Sequence, residues 1–399
     1  METLEFNLGR PDRRQPFPSA ASLLTRPLVP AGRWPIRPTA QPGLRTPSCG
    51  RRIARTGSRM SAGNRSHGSF VLNGFPALDG RRWVLAPPLA VASALALLAN
   101  ALLLYVVVSV QRLRSPMYLL ICTLCLVDML AVAAVVPGAL ASLLVDGKRV
   151  SLAGCLAQMF GTHFLSSAES TLLLAMALDR YAAVCHPLRY GRLVGRRALA
   201  ALALFTSARS GAVMAALVGL AGSLRFCASD VIRHCYCDHM ALVSLACGDT
   251  GRSAAAGVAV IACFVGVDIP LILFSYLKIL GAAMRTAAPG DERRKAFRTC
   301  GTHLTVMTVF YLVGSVTFLS RNLGLAIPTD ANSAMGLLYI LTPAAANPVI
   351  YGAGTAEIRN GFRRLLGLGH AGKAKVSPAD AAVRMPRRRN DAAVAPDRR

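Results

Sequence analysis

The stretch MALDRYAAVCHPLRY, residues 176–190, passes without a break from an apolar helix into a charged segment. The residues before it, 152–178, are mostly apolar and form a run longer than the roughly 20 residues that cross a bilayer core. Asp179, Arg180 and Tyr181 therefore lie at a predicted membrane border. An arginine there stays charged and offers a fork of donors. The stretch alone favours an interfacial ion pair that anchors the end of the helix.

The rest of the chain repeats the apolar part of this pattern. Hydrophobic residues make up 53% of the 399 residues and charged residues 16%, with a mean hydropathy of +0.45. A water-soluble domain carries about 25% charged residues. Apolar runs long enough to span a bilayer lie near 84–109, 117–141, 152–178, 198–221, 254–280, 299–320 and 332–353. The sequence predicts an all-α membrane protein, a seven-transmembrane helix bundle with a short amphipathic eighth helix.

The distribution of Lys and Arg between the short loops predicts the orientation. One set of loops, which includes Arg180 and the segment before span six, holds about 16 of them, and the opposite set holds about 8. The richer set is expected in the cytoplasm, so we predict a multi-pass plasma-membrane protein with its N-terminus outside and its C-terminus inside. The net charge of +26 lies in loops and tails without a nucleic-acid-binding motif. We therefore expect the lipid bilayer, and no nucleic acid, as its partner.

Composition divides the chain into five segments. Residues 1–59 hold about eleven Arg, many Pro and no apolar signal region, so they are predicted to be a basic disordered extension. The simplest interpretation is that residues 1–59 come from an over-extended start before Met60 or are a dispensable leader, and a functional extension is the alternative. Residues 60–83 are the predicted extracellular N-terminus, where Asn64 begins a glycosylation sequon. The seven-helix domain (84–353), the amphipathic helix (354–366) and a basic disordered cytoplasmic tail (367–399) follow.

Cysteines cluster on the predicted outer side. Cys155 begins span three, and the loop between spans four and five holds Cys227, Cys235, Cys237 and Cys247. Disulfides are expected in an oxidising compartment. The segment HCYCDH, residues 234–239, could instead bind a structural metal, which we consider the weaker interpretation.

Five ionisable residues lie inside predicted spans, where they are costly and commonly functional: Asp128, His163, Glu169, Arg209 and Asp268. Asp128 and Glu169 lie at similar depth, so they could share a sodium ion or a proton. A hydrogen-bonded packing network with Asn100 and Asn347 is the alternative. For Asp268 we expect a local packing bond. The sequence shows no partner for Arg209, which would fit a shifted span boundary or a poorly functional copy.

Five motifs together resemble the odorant receptors, within the rhodopsin-like G-protein-coupled receptors. They are SPMYLLICTLCLVD (115–128), MALDRYAAVCHPLRY (176–190), SYLKIL (275–280), KAFRTCGTHLTVMTVFY (295–311) and NPVIYG (347–352). The resemblance covers about residues 64–366. The segments 163–181, 226–250 and 351–359 are more similar to class I, or fish-like, receptors than to class II. The chain departs from the family pattern after Tyr311, where it lacks the usual proline.

The resemblance implies a ligand-operated switch that activates a stimulatory heterotrimeric G protein. Asp179 is then expected to hold Arg180 at rest, and Tyr276 and Tyr351 to support Arg180 after activation. Tyr181, Asn347 and Pro348 belong to the same switch motifs. It also implies the disulfides Cys155–Cys237 and Cys227–Cys247, with Cys235 outside both pairs. The helix near 355–366 is expected to present Ile358, Phe362 and Leu365 to lipid, and Arg359 and Arg363 to headgroups.

The resemblance places a small odorant in the outer third of the bundle, without a cofactor. The expected lining is mostly apolar, with Tyr311 at its floor: His163, Phe160, Phe164, Val316, Phe318 and Tyr311. The ligand is either a neutral volatile or a carboxylic acid. Arg321 lies near the place where the family holds acids, but Asn322 occupies the matching position, and one residue is about 100° of helix rotation.

Other function classes fit less well. A transporter of this size commonly shows internal repeats and broken helices, and the two halves of this sequence do not repeat. Asp128, Glu169 and the histidines could imitate an intramembrane hydrolase, but no motif of the HExxH kind accompanies them. A rhodopsin-like receptor for a non-olfactory metabolite or peptide remains the alternative, because ligand class depends on the shape of the pocket.

Overall fold

A computed structural model describes residues 67–110, 115–285, 290–322 and 327–365, without the side chains at 196, 290–297, 299 and 319–322. The predictions for residues 1–59, for the sequon at Asn64 and for the tail 367–399 lie outside this part of the chain.

Seven long helices make up most of the described chain, and each corresponds to one predicted span. They are α1 (Ala86–Ser109), α2 (Pro116–Leu144), α3 (Leu152–Cys185), α5 (Arg196–Gly222), α7 (Gly251–Arg285), α8 (Gly290–Asn322) and α9 (Thr329–Gly354). Three shorter helices, α4 (Tyr190–Leu193), α6 (His239–Val243) and α10 (Ala356–Leu365), lie between or after them. The predicted bundle with its eighth helix is confirmed.

The outer surface of the bundle is apolar. Within the described residues, α1, α2, α5, α7, α8 and α9 are long and apolar enough to cross a membrane. Leu95, Leu98 and Tyr105 of α1 are each more than half exposed. In water such a surface would be unfavourable, whereas lipid tails cover it and the helices satisfy their own backbone hydrogen bonds. The chain is therefore a multi-pass membrane protein.

Helix α3 contacts α2, α5, α7 and α8, and it turns its polar residues inward. Leu173 and Met176 are fully buried in the main hydrophobic core. Glu169, Ser170 and Asp179 of the same helix are also buried. Helix α3 thus places ionisable groups inside the bundle.

A small sheet, which we did not predict from the sequence, covers one end of the bundle. Within the described residues it consists of β1 (Ser69–Leu72), β2 (Arg149–Ser151) and β3 (Val231–Ile232), in the order β2–β1–β3. Strand β1 pairs antiparallel with β2 and parallel with β3. Phe70 packs edge-on against Phe226 with ring centroids 5.3 Å apart. The segment before α1 is thus part of a folded cover.

Two disulfides fasten this cover, at what we name the disulfide end of the bundle. Cys155 of α3 is bonded to Cys237, and Cys227 is bonded to Cys247, which are the pairs that the resemblance implies. The amide of Gln158 donates to the Ala134 carbonyl at 3.0 Å and accepts from the Cys237 backbone N–H at 3.0 Å. Gln158 therefore ties the loop between α5 and α7 to α2 and α3.

The short helix α10 is turned differently from the expectation. Ile358 is fully buried in the main core, and Phe362 packs against the same core. Gly361 lies so close to Val106 of α1 that an added Cβ would stand 2.8 Å from its side chain. The expectation that Ile358 and Phe362 face lipid is wrong, because α10 packs on α1 and α9. Leu365, Arg363 and Arg364 remain exposed.

Candidate functional site

A cavity of about 130 Å³ lies between α3, α5, α7, α8 and α9, beneath the loop that carries Cys237. An engineered cavity of about 150 Å³ takes up benzene, so the space suits a small organic molecule. Helix α3 lines it with one face, at spacings of three and four residues: His163, Ser166, Ser167 and Ser170. The other helices contribute mainly apolar side chains: Met214, Leu217, Gly257, Val260, Ile261, Phe264, Val265, Phe310, Tyr311, Gly314, Ser315, Phe318 and Tyr339.

The cavity brings together only part of the predicted ligand set. His163, Tyr311 and Phe318 line it, and the rings of His163 and Phe318 lie 6.4 Å apart. Phe160 and Phe164 do not line it, since they stack on each other at 5.8 Å in a cluster with α5 and α7.

Three further positions near the end of span six were predicted to line the cavity or bind the ligand. Val316 is 53% exposed on the outer surface, so its predicted place in the lining is wrong. The side chains of Arg321 and Asn322 lie outside the described residues.

Sequence reasoning missed the side of the cavity formed by Asp238, His239 and Met240. Asp238 begins α6, and its carboxylate accepts from the Ala241 backbone N–H at 3.0 Å. These residues overlap the segment HCYCDH, whose cysteines and histidines suggested disulfides or a metal. Cys237 is in a disulfide, and in the described part of the chain no three His, Cys, Asp or Glu side chains are grouped to hold a metal.

A chain of hydrogen bonds leads from the cavity floor into the bundle. The Tyr311 hydroxyl lies 3.0 Å from the Ser170 hydroxyl. Ser170 in turn donates to the Asp268 carboxylate at 2.7 Å. The floor of the cavity is thus connected to a buried acid on α7.

That acid is the partner of Arg209. The guanidinium donates to Asp268 at 2.9 Å, to the Cys263 carbonyl at 2.7 Å and to Thr171 at 3.3 Å. Its carbon also lies 4.3 Å from the centroid of the Phe264 ring. The sequence did not indicate a partner for Arg209, and Asp268, for which we expected a local packing bond, supplies it. The two charges lie on different spans, and the ion pair joins α5 to α7.

A second polar cluster lies deeper, between α1, α2, α3 and α9. Asn347 donates to Asp128 at 2.9 Å, and Asn100 donates to the Ala344 carbonyl at 2.7 Å. One carboxylate oxygen of Glu169 and the amide oxygens of Asn100 and Asn347 are buried without a hydrogen bond to any described residue. Such acceptors call for a cation, a proton or water.

The opposite end of the bundle, named here the Arg180 end, holds the DRY motif. The Arg180 guanidinium forms an ion pair with Asp179, with Nε at 3.0 Å from the carboxylate. The Tyr190 hydroxyl donates to the other Asp179 oxygen at 2.8 Å. Burial, followed by the nearby Asp179 carboxylate, raises the pKa of Tyr190, so it stays a neutral donor. Tyr181 instead contacts His186 at 3.3 Å, away from the ion pair.

The predicted tyrosines of this end lie within the bundle. Tyr351 of α9 is 1% exposed, and its hydroxyl lies 3.3 Å from His303 and donates to the Met176 sulfur at 3.7 Å. Its neighbour Pro348 is buried inside α9. The Tyr276 hydroxyl is buried without a hydrogen bond to a described residue. Neither tyrosine hydroxyl bonds Arg180 in this conformation.

Comparison with known proteins adds independent information. Residues 89–368 match the family profile described as "Olfactory receptor". Human olfactory receptors 52D1 and 52P1 are each 36% identical to the chain, over 309 and 308 residues, which is 77% of this chain and 96% of each relative. Olfactory receptor 51E2 of Rattus norvegicus is 35% identical over 300 residues, 75% of this chain and 93% of the relative.

Proposed function

The chain belongs to the olfactory receptor family, and on that premise we propose that it binds a small odorant in the cavity beside α3 and activates a stimulatory heterotrimeric G protein. The family is one of odorant-responsive, G-protein-coupled receptors and not of enzymes. The ligand site, the subtype of the G protein, the plasma-membrane location and the orientation in that membrane are our proposals.

The observation that carries the proposal is the contact between Tyr311 and Ser170. Tyr311 lines the cavity, and Ser170 passes the contact to the Asp268–Arg209 ion pair. A ligand that moves Tyr311 therefore perturbs bonds that join α3, α5, α7 and α8. Such a ligand shifts the equilibrium between two arrangements of these helices only by as much as it binds one of them better.

We place the disulfide end outside the cell and the Arg180 end in the cytoplasm. Disulfides persist in an oxidising compartment, and the Lys and Arg excess lies in the loops of the Arg180 end. A G protein then meets the loop after α3, the segment before α8, and α10. Arg180 is held by Asp179 at that surface, 17% exposed in its side chain, and is positioned for release toward it.

The proposal is tested with the full chain in cells that carry a cAMP reporter. An odorant mixture should raise cAMP in the wild type, and Arg180→Ala should abolish the response while surface expression is kept. Arg149→Ala is the matched control, because Arg149 is an exposed arginine at the disulfide end and should respond like the wild type. An Arg180→Ala receptor that signals normally would refute the switch role.

A further inference from the structure

We propose that the cavity selects small neutral ligands that donate a hydrogen bond, of the alcohol or phenol class, in preference to carboxylic acids. The inference rests on the proposed function, because it assumes that this cavity is where the odorant binds. It follows from the direction in which the hydroxyl protons of the lining point.

The ion pair fixes the direction of the hydrogen bonds at the cavity floor. Asp268 is fully buried and paired with Arg209, so its carboxylate can only accept. Ser170 therefore donates its single proton to Asp268 at 2.7 Å. At the 3.0 Å contact between the two hydroxyls, Tyr311 must then be the donor and Ser170 the acceptor. With its proton used in this way, the Tyr311 oxygen offers the cavity only a lone pair.

Two further lining groups point the same way. Ser167 donates its proton to the Phe164 carbonyl at 2.9 Å, which leaves its oxygen as an acceptor. Asp238, on the side of the disulfide end, is a carboxylate and accepts as well. Where the structure fixes the direction of a lining hydrogen bond, the cavity thus presents an acceptor. A ligand hydroxyl supplies the missing donor, whereas a carboxylate supplies none.

The charges around the cavity favour a neutral ligand over a carboxylate or an ammonium ligand. The lining residues all lie in the described part of the chain, and none of them is Lys or Arg. A ligand carboxylate would therefore find no cationic Lys or Arg side chain among these lining residues. An ammonium group would have to leave water for a mostly apolar cavity, where Asp268 is already neutralised by Arg209 and Asp238 already caps α6. His163 and His239 can each donate or accept, so they tolerate the oxygen of a hydroxyl.

The test compares ligands of one skeleton that differ only in the polar group. Cyclohexanol, cyclohexyl methyl ether, cyclohexanecarboxylic acid and cyclohexylamine fit the cavity volume, and the corresponding hexyl compounds form a second set. In the wild type the alcohol should be the most potent of the four compounds in a cAMP assay, by about tenfold or more. The ether keeps the oxygen but lacks the proton that a buried acceptor needs. Each comparison uses the ratio of two ligands on one receptor, so a change in signal strength cancels.

Two tyrosine variants locate the effect. Tyr311→Phe should bring the alcohol-to-ether potency ratio to about one, since the lone pair is gone. Tyr339→Phe removes a hydroxyl from another lining tyrosine and should keep the ratio. If Tyr311→Phe no longer signals, ligand-induced thermal stabilisation of the purified full-length variant gives the same ratio.

The potencies decide between the inference and its alternatives. Equal potency of alcohol and ether in the wild type, or greater potency of the acid or the amine, would overturn the inference. Silence of both ligand sets on a receptor that a broad odorant mixture activates would overturn it and leave the proposed function standing. Silence toward the mixture as well, from a receptor present at the surface, would overturn the proposed function itself.

Discussion

Arg209 of α5 and Asp268 of α7 form an ion pair with 2.9 Å between nitrogen and oxygen, and their side chains are only 12% and 0% exposed. The pair is also the far end of the hydrogen-bonded chain that starts at the cavity floor. A buried pair of this kind adds little net stability compared with apolar residues of the same volume, but losing one partner is costly. We infer that the ion pair instead makes the relative position of α5 and α7 depend on Ser170 and Tyr311.

Replacing one partner should therefore destabilise the receptor strongly. Arg209→Met leaves the Asp268 carboxylate buried without its counter-charge, and we expect the free energy of unfolding to fall by about 3–5 kcal/mol. Thermal melting of the receptor in detergent measures the loss, and surface expression should fall with it.

The double variant and a surface pair provide the controls for this prediction. Arg209→Met combined with Asp268→Leu removes both charges and should recover most of the stability. Arg149→Met breaks the exposed pair with Asp230 and should cost less than about 1 kcal/mol. If Arg209→Met were no worse than Arg149→Met, the buried pair would not be a structural link.

The cluster around Glu169 predicts sensitivity to sodium. The carboxylates of Asp128 and Glu169 and the unbonded amide oxygens of Asn100 and Asn347 offer oxygen ligands to a cation. Raising sodium, with choline as the replacement, should lower agonist potency in the wild type, because the cation stabilises the resting arrangement. Glu169→Gln should remove this dependence in the cAMP assay.

A carboxylate elsewhere serves as the control for the sodium experiment. Asp249→Asn changes an exposed carboxylate of the disulfide end and should keep the sodium dependence. Potency in the wild type that does not change with sodium would show that the cluster only packs the helices together.

Apolar runs made the seven spans readable from the sequence, and the observed helices differ from the predicted spans mainly at their ends. The longest differences are at α3, which continues to Cys185, and at α8, which begins at Gly290. Polar termini extend a helix past the membrane without leaving an apolar signal. The covering sheet escaped prediction because strands of two to four residues are too short to show an alternating pattern.

The site was predicted only in part, because it depends on which way side chains point. His163 and Tyr311 line the cavity. Val316 turns outward, although Phe318, two residues further along α8, turns inward. Arg209 and Asp268 are 59 residues apart in the chain, so only the packing of α5 on α7 could reveal their contact. The resemblance supplied the disulfide pairs, which spacing alone left open.

The disulfides themselves can be checked directly. Non-reducing peptide mapping should recover Cys155 with Cys237 and Cys227 with Cys247. Cys235 is fully buried, so an alkylating reagent should reach its thiol only after unfolding. Cys155→Ser should lower the free energy of unfolding by about 2–4 kcal/mol, because the cross-link no longer restricts the unfolded chain.

Cys235→Ser is the control for this mapping, and it should keep both disulfides and most of the stability. A peptide that joins Cys155 to Cys235 would contradict the pairing.

The final prediction concerns the resting state of the switch, where two donors hold the same carboxylate. Arg180 and Tyr190 each bond Asp179. Asp179→Asn removes the charge that holds Arg180, which is worth about 1.5–3 kcal/mol for a charged hydrogen bond, and should raise ligand-independent cAMP per surface receptor the most. Tyr190→Phe removes one neutral bond of about 0.5–1.5 kcal/mol and should raise it less. Adding Arg180→Ala to either variant should return the signal to background.

A tyrosine of the same motif supplies the matched control for this series. Tyr181→Phe loses only the contact with His186, so it should leave the basal signal at the wild-type level. The order of the basal cAMP signals among the variants is the decisive result, because the shift in the resting equilibrium follows the strength of the bond removed. If Asp179→Asn reached the surface normally with a basal signal no higher than that of Tyr181→Phe, the Asp179–Arg180 pair would be an anchor of the helix end and not the restraint on the switch.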